Sequence, residues 1–520
     1  MKSGPSPWEI LRARFGAKYL DLAETLPKFN GGRIHSLQSI RELQRADAQK
    51  QFERSRPMEG VSVRFDRLLL IELFPIEDYD DLEQQLRRLF PGDRKIEETI
   101  DSIAGNAESL FQAGWFNVGH IVRENAKPSL YPFALTALPE LPEEVKRIEV
   151  SVSKILPSLF AVSFDIEMTE KATDRLNSLL NQRFLTEVTF KGILPTRRNL
   201  GNRSMLGSDQ VMRRAVLQSL SSLRLRIERS LGSRIRGLFL RMPKGSSTLL
   251  PALEMLSIRD ESGDVTAVGE TLRRNASWAD CFGVTHWLAD YLFVKPGMLF
   301  QWPNDWRGQE MTCYKLVSFN DGKEEPNESQ DLKYLLLRGI VISSTPLIAI
   351  LGIIESVRRD VEKLRFAVYR TLTDESSFRR LASEIRLNNN VQIKEMILSR
   401  LQFELKESKL VVEDAAQNLR EFVALGQRQT NPLGDVFLHT IQGQLHIVSG
   451  HGKVVSGALS DYLERRNLEF NFRLQKRLLW WTASISILTI LLWLVTTYGI
   501  VKDWPSFGYA ESWVRLHLHW

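Results

Sequence analysis

Cysteine is almost missing from this chain. Two residues, Cys281 and Cys313, stand in 520, too few for the disulfide framework of a small secreted fold. Neither "ADCFGV" nor "MTCYKL" offers a second ligand at metal spacing, so both read as reduced packing residues of a cytosolic domain. The usual catalytic signatures are missing too: no Walker loop, no dinucleotide fingerprint, no Gly-x-Ser-x-Gly elbow and no His-Glu-x-x-His. Of the eight histidines, His439, His446 and His451 are near one another without a cysteine or paired carboxylate to complete a metal set. They are expected to be stalk-packing or surface residues, and His517 and His519, alternating beside Trp513 and Trp520, suit an interfacial tail. These gaps leave an expectation of no enzyme activity, no cofactor and no metal.

A secretory leader is also missing from the reading. The first thirty residues mix charged and apolar side chains throughout and never give an uninterrupted apolar run of signal-peptide length, so the bulk of the chain is expected in the cytosol.

What the chain does have is one long apolar run near its end. Residues 478–501, "LLWWTASISILTILLWLVTTYGIV", are uncharged and exceed the approximately 20 residues a helix needs to cross the hydrocarbon of a bilayer. Arg465, Arg466, Arg473, Lys476 and Arg477 precede the run, whereas Lys502, Asp503, Glu511 and Arg515 follow it. The positive-inside rule predicts a single-pass protein of the inner or cell membrane, with residues 1–477 cytoplasmic and a short tail, 502–520, outside. Trp480 and Trp481 at one end and Tyr498 and Trp504 at the other suit the two interfaces.

At helical spacing, Thr482, Ser486, Thr489, Trp493 and Thr496 fall on one stripe, with Thr497 at its border and Ser484 pointing away. Ile487, Leu488, Leu491, Leu494 and Val495 occupy the other side. A hydroxyl-rich face is expected to meet either another helix or the water of a pore enclosed by several copies. A monomeric anchor is the third reading. A second apolar run, Gly339–Ile354, is shorter and carries "SSTP" in its middle. It reads as a buried strand ending at a helix start, with Thr345 as N-cap and Pro346 at the first helical position.

The remaining organisation predicts an α+β protein: a cytosolic α/β domain, a long α-helical stalk and one C-terminal transmembrane helix. Residues 1–57 form a basic N-terminal extension. Residues 58–345 carry strand-like stretches, "VSVRFDRLLLIELFPI" and "RIEVSVSKILPSLFAVSFDIEM", the second broken at "LPS" as a hairpin would be, alternating with helical ones. Residues 346–477 read as helices, in which Ile397, Leu401, Leu405, Val412, Ala416, Leu419 and Val423 approximate a heptad seam.

Charge is unevenly spread. Between Lys191 and Lys244 eleven arginines and two lysines oppose only Asp209 and Glu228, so this segment alone is more positive than the whole chain, whose net charge is +6. Met212, Val216, Leu220, Leu223, Ile227 and Leu231 form an apolar helical stripe within it. The candidate anion-binding or nucleic-acid-binding residues are Arg197, Arg198, Arg203, Arg213, Arg214, Arg224, Arg226, Arg229, Arg234 and Arg236, because guanidinium groups bind phosphate in bidentate fashion. Nucleic acid, a nucleotide or a lipid headgroup would suit such a segment. A solvated basic face balanced by the acidic remainder of the chain is the plainer reading.

The soluble α/β portion, the long helices and a terminal membrane helix followed by "YGIVKDWPSFGYAESW" together resemble the CorA family of divalent-cation channels over roughly the last 170 residues. Tyr498 and Gly499 match the start of its Tyr-Gly-Met-Asn motif, and Trp504, Pro505, Gly508 and Tyr509 match the loop that follows. Ile500 and Val501 stand where that family has the Met-Asn of its selectivity ring, and the stretch after Val501 is shorter than the family's second helix. The resemblance implies a homo-oligomeric, channel-like assembly. Together these readings predict a membrane effector, a channel-like or membrane-disrupting homo-oligomer of the kind that would serve bacterial defence, gated by an anionic nucleic acid or nucleotide. The partners expected are the chain itself, the bilayer and that ligand. The alternative is a C-tail-anchored scaffold that binds a protein partner.

Overall fold

The computed structural model describes residues 14–15, 18, 32–55, 61–91, 94–108, 114–123, 134–190, 203–241, 250–260, 291–295, 298–301, 313–320, 328–373, 381–407, 409–420, 432–502, 512 and 514. They fall into two compact units: Met1–Arg359 with Leu398–Val448, and Asp360–Ile397 with Ser449–Trp520.

The first unit is mixed α/β. Its strands are β1 (Val61–Pro75), β2 (Trp115–Val122), β3 (Ala134–Ala137), β4 (Val145–Leu156), β5 (Leu159–Met168), β6 (Glu187–Phe190), β7 (Arg203–Leu206), β8 (Ala252–Asp260), β9 (Tyr291–Lys295), β10 (Met298–Gln301) and β11 (Cys313–Asn320). Nine of them make one sheet in the order β3-β2-β4-β5-β1-β8-β11-β10-β9, and β6 and β7 pair separately. The pairs β2/β3 and β8/β11 are parallel and the other neighbours antiparallel. β4 and β5 form a hairpin across Pro157 and Ser158.

β1 lies in the middle, and Leu68 to Phe74 are buried without a break. That is why its sequence, "LLLIELF", shows no alternation: both faces of the sheet are covered there. Where β5 ends, helix α4 (Glu170–Leu180) takes over the free edge of β1. Val63 N–H donates to the Asn177 side chain, which donates back to the Val63 carbonyl, and Phe65 N–H donates to Thr173. Side chains thus satisfy backbone groups that a strand otherwise would. The other helices before α4 are α1 (Gly32–Ser55), α2 (Tyr79–Leu89) and α3 (Arg94–Glu108); α5 (Ser208–Gly232) follows β7. Helix α1 lies in the supposed basic extension. Ile40 and Ala48 are buried, the Gln44 side chain donates to the Thr186 carbonyl, and the Thr186 hydroxyl donates to Asp47 at 2.5 Å.

The second apolar run is a helix, not a strand leading into one. Residues 339–345 belong to α6 (Glu328–Thr373), and Pro346 sits inside it. The hydroxyls of Ser344 and Thr345 both donate to the Val341 carbonyl, at 3.3 and 2.7 Å, in the turn where proline offers no N–H. At Gly352 a Cβ would collide with Pro251, so the missing side chain is what lets α6 approach this loop. Residues 340–354 are almost wholly buried, and the first unit takes in α6 as far as Arg359.

The residues expected to form a heptad seam are divided between helices α7 (Leu381–Glu407) and α8 (Lys409–Arg420), and Ile397 and Leu405 among them are only half-buried. Leu401, Val412, Ala416 and Leu419 are buried, and Val423 lies outside the described residues. In the second unit, Val368 of α6, Val391 of α7 and Val455 and Leu459 of α9 (Leu433–Lys502) form a small core, against which Leu364, Tyr462 and Leu463 pack. Lys394 and Asp360 pair beside it at 2.7 Å.

Candidate functional site: the arginine segment and the uncovered helix

Helix α5 displays a clean division of labour. Its apolar stripe, Met212, Val216, Leu220, Leu223, Ile227 and Leu231, is buried throughout. The arginines beside it are not a free basic face. Arg213 and Arg224 are themselves buried, which corrects their expected place on a ligand-facing surface. Arg214 pairs with Glu187 at 2.7 Å, and Arg234 with Glu140 at 3.8 Å. Arg226 shares Glu144 with Arg175, at 2.6 and 3.0 Å. Burial alone would raise the Glu144 carboxyl, but Arg226 and Arg175 outweigh it and hold the group below the usual carboxylate range. Arg229 and Arg236 are exposed and make no ion pair among the described residues. Arg203 lies on β7, in register with Phe190. Arg197 and Arg198 lie outside the described residues, as do Cys281, His517 and His519.

Arg224 enters a buried ionic cluster. Its Nη1 lies 3.7 Å from Glu254 Oε1 on β8, and Lys315 Nζ, directly across on β11, lies 2.8 Å from Glu254 Oε2. Glu228, one turn on along α5, accepts from Leu250 N–H at 3.3 Å. Burial would raise the Glu254 carboxyl, yet Lys315 and Arg224 keep it low and therefore charged. Two cations and two carboxylates make a balanced set, the condition for holding charge away from water. Cys313 stands beside them, its thiol pushed up to about 11 by burial and then by Glu254, far from the thiolate that a nucleophile needs.

Glu72 is a second interior carboxylate. Its Oε1 accepts from Leu73 and Phe239 N–H at 2.8 Å each, and its Oε2 from Leu240 N–H at 2.9 Å. The chain leaving α5 is thus pinned onto β1, and Leu238 N–H donates to the Leu73 carbonyl at 2.7 Å. A side chain on Gly237 would strike that carbonyl. Burial pushes Glu72 up to about 7 against the pull of these amides. Sequence reading missed both devices. Their signal was a lone charge inside a continuous apolar strand: "LLIELF", "LEMLSI" and "CYKLVSF".

The uncovered end of α9 is the opposite case. Leu337–Tyr369 and Leu433–Thr497 each contain a window of mean hydropathy 2.0, but 94% of the first window is buried and none of the second. Thr482, Ser486, Thr489, Trp493 and Thr496 are all exposed. The hydroxyls of Thr482, Thr489 and Thr496 donate to the carbonyls of Leu478, Ile485 and Leu492, at 2.8, 2.8 and 2.5 Å. Ser484, off the stripe, does the same to Trp480 at 2.8 Å. Hydrogen bonding therefore does not oblige these threonines to find a partner; what the stripe offers a neighbour is a narrow face with one large ring. His439, His446 and His451 are exposed on α9, and among the described residues no three His, Cys, Asp or Glu side chains gather to hold a metal ion.

No family model matches the chain, and a search of curated proteins finds no match to it.

Proposed function

We propose that this chain is a single-span membrane effector, held in the bilayer by residues 478–501 and self-associating through the hydroxyl face of that span. The observation that carries the reading is an apolar helical window of which no part is buried among the described residues, preceded by Arg473, Lys476 and Arg477. Everything before the span is then cytoplasmic. The resemblance of residues 498–509 to CorA-like channels supports an assembly of several copies, since one helix per chain encloses a path only by rotational assembly. An anionic nucleic acid or nucleotide is the proposed ligand, and Arg197, Arg198, Arg229 and Arg236 are its contacts, because most of the other arginines already have carboxylate partners. The ligand acts by binding one state of the assembly better than the other.

The test is the mass of the purified full chain in detergent, with alkaline extraction of the membranes that contain it. Retention after alkaline washing and a mass of several chains are expected. A monomer removes the channel-like assembly, and release by the wash removes the span. Replacing Arg229 and Arg236 by glutamine should weaken oligonucleotide binding and flatten its salt dependence; unchanged binding removes the ligand.

A further inference from the structure

Helix α9 carries a second pattern that the second unit's own packing does not use. Val454, Ala458, Asp461, Arg465, Leu468, Phe472, Gln475 and Leu479 follow one another at alternating spacings of four and three. The same rhythm runs without a break into Thr482, Ser486, Thr489, Trp493 and Thr496. Its apolar members before Thr482 are Val454, Ala458, Leu468, Phe472 and Leu479, and apolar residues at a period of 3.5 are what lets a helix wind against a like helix. Every one of these positions is exposed, with Val454, Leu468 and Phe472 at 72, 63 and 68%.

The residues that pack inside the unit fall on another face. Val455, Leu459, Tyr462 and Leu463 meet the core formed with Val368 and Val391. Val455, Leu459, Tyr462 and Arg466 each stand one residue past a seam position, about 100° around the helix, and Arg466 donates to the Tyr462 hydroxyl at 2.8 Å. The inner face and the seam can therefore be occupied at once.

Resting on the reading of 478–501 as a membrane span, we propose that α9 binds a second copy of this chain in parallel and in register, along a seam running from Val454 through the basic juxtamembrane stretch to Thr496. The membrane fixes the direction, because two copies inserted the same way present their helices parallel. In a parallel, in-register pair Asp461 faces Asp461 and Arg465 faces Arg465; the acidic layer adjoins the basic one, so the four charges together sum to zero. Leu468 and Phe472 supply the apolar layers between those charges and the bilayer, and Gln475 adds one uncharged polar layer, of the kind that specifies register.

Cysteine cross-linking of the full chain in membranes tests this. Leu468→Cys and Phe472→Cys are compared with Asn467→Cys and Asn471→Cys, one residue out of phase, and with the parent chain. Oxidation should give at least about tenfold more disulfide-linked dimer at 468 and 472, a ratio worth about 1.4 kcal/mol. Asp461→Arg should reduce the Leu468→Cys product, and adding Arg465→Asp should restore it. Equal cross-linking at all four positions, or more at 467 and 471, overturns the seam, as does failure of the charge swap to restore the product. Alkaline extraction of the same membranes separates the two readings. Protein that stays in the membrane without phased cross-links refutes the seam alone, and protein that is extracted yet cross-links in phase refutes the span alone.

Discussion

Two helices of this chain are equally apolar and meet opposite surroundings. The windows in Leu337–Tyr369 and Leu433–Thr497 share a mean hydropathy of 2.0, yet one is 94% buried and the other entirely uncovered. Hydropathy measures how badly a segment wants to leave water; it does not say whether protein or lipid receives it. The context does. In the first, Ser343, Ser344 and Thr345 are buried along with the aliphatic side chains, Gly352 admits Pro251, and Arg338 reaches Glu149 of β4 at 3.1 Å. In the second, four bulky residues, Leu478, Leu479, Trp480 and Trp481, stand exposed directly after a basic run.

The largest effect expected from this contrast comes from placing one charge in each helix. Ile350 is fully buried, so Ile350→Asp puts an unpaired carboxylate in the interior and should destabilise the first unit by more than about 4 kcal/mol. Its cooperative melting transition should disappear. Leu491→Asp should leave that transition within about 0.5 kcal/mol of the parent. It should instead release the protein from membranes, since an aspartate at the centre of a span costs about 3 kcal/mol. Calorimetry and alkaline extraction of both variants decide the matter, and identical behaviour of the two would dissolve the distinction.

A smaller effect measures how dry the interior is that receives the first helix. Glu72, raised from 4.5 to about 7, keeps a proton in the folded state that the unfolded chain has already lost between those values. The sign follows: its contribution is fully present below about pH 4.5 and is lost as pH rises through 7, by roughly 3 kcal/mol. Glu72→Gln mimics the protonated form and removes that slope. Denaturant titrations should find parent and variant alike at pH 4.5 and the variant more stable at pH 8. A parent at least as stable as the variant at pH 8 would mean that the Leu73, Phe239 and Leu240 amides outweigh burial.

The local patterns of this fold were readable before its long-range partners were. The β4/β5 hairpin announced itself through "LPS", and the buried stripe of α5 through its spacing, because both are set by neighbouring residues. Residues 339–354 misled because a helix covered on all sides shows no period, and Pro346, which suits a first turn, sits inside the helix. The arginine segment misled for another reason. Its neutralising carboxylates, Glu140, Glu144, Glu187 and Glu254, all lie outside the helix, and spacing along one helix cannot reveal what the fold brings to it. The hydroxyl stripe of 482–496 was legible as a phase, while its occupant was not, because each threonine on it can satisfy itself.

The smallest effect therefore falls on that stripe. Replacing Thr482 and Thr489 by valine removes two hydroxyls that donate to the carbonyls of Leu478 and Ile485, and keeps the shape. Nothing in the folding of either unit depends on them, so melting should be unchanged. If the stripe contacts a second helix, self-association in detergent should weaken by about 1 kcal/mol, the usual worth of such contacts between membrane helices. Ser484→Ala, off the stripe, should leave association as it was. Equilibrium sedimentation reads both. Equal association of all three proteins would give the face to lipid, and the second helix would then differ from the first only in its solvent; a selective loss in the double valine variant would mean that it too ends against protein, supplied by another copy.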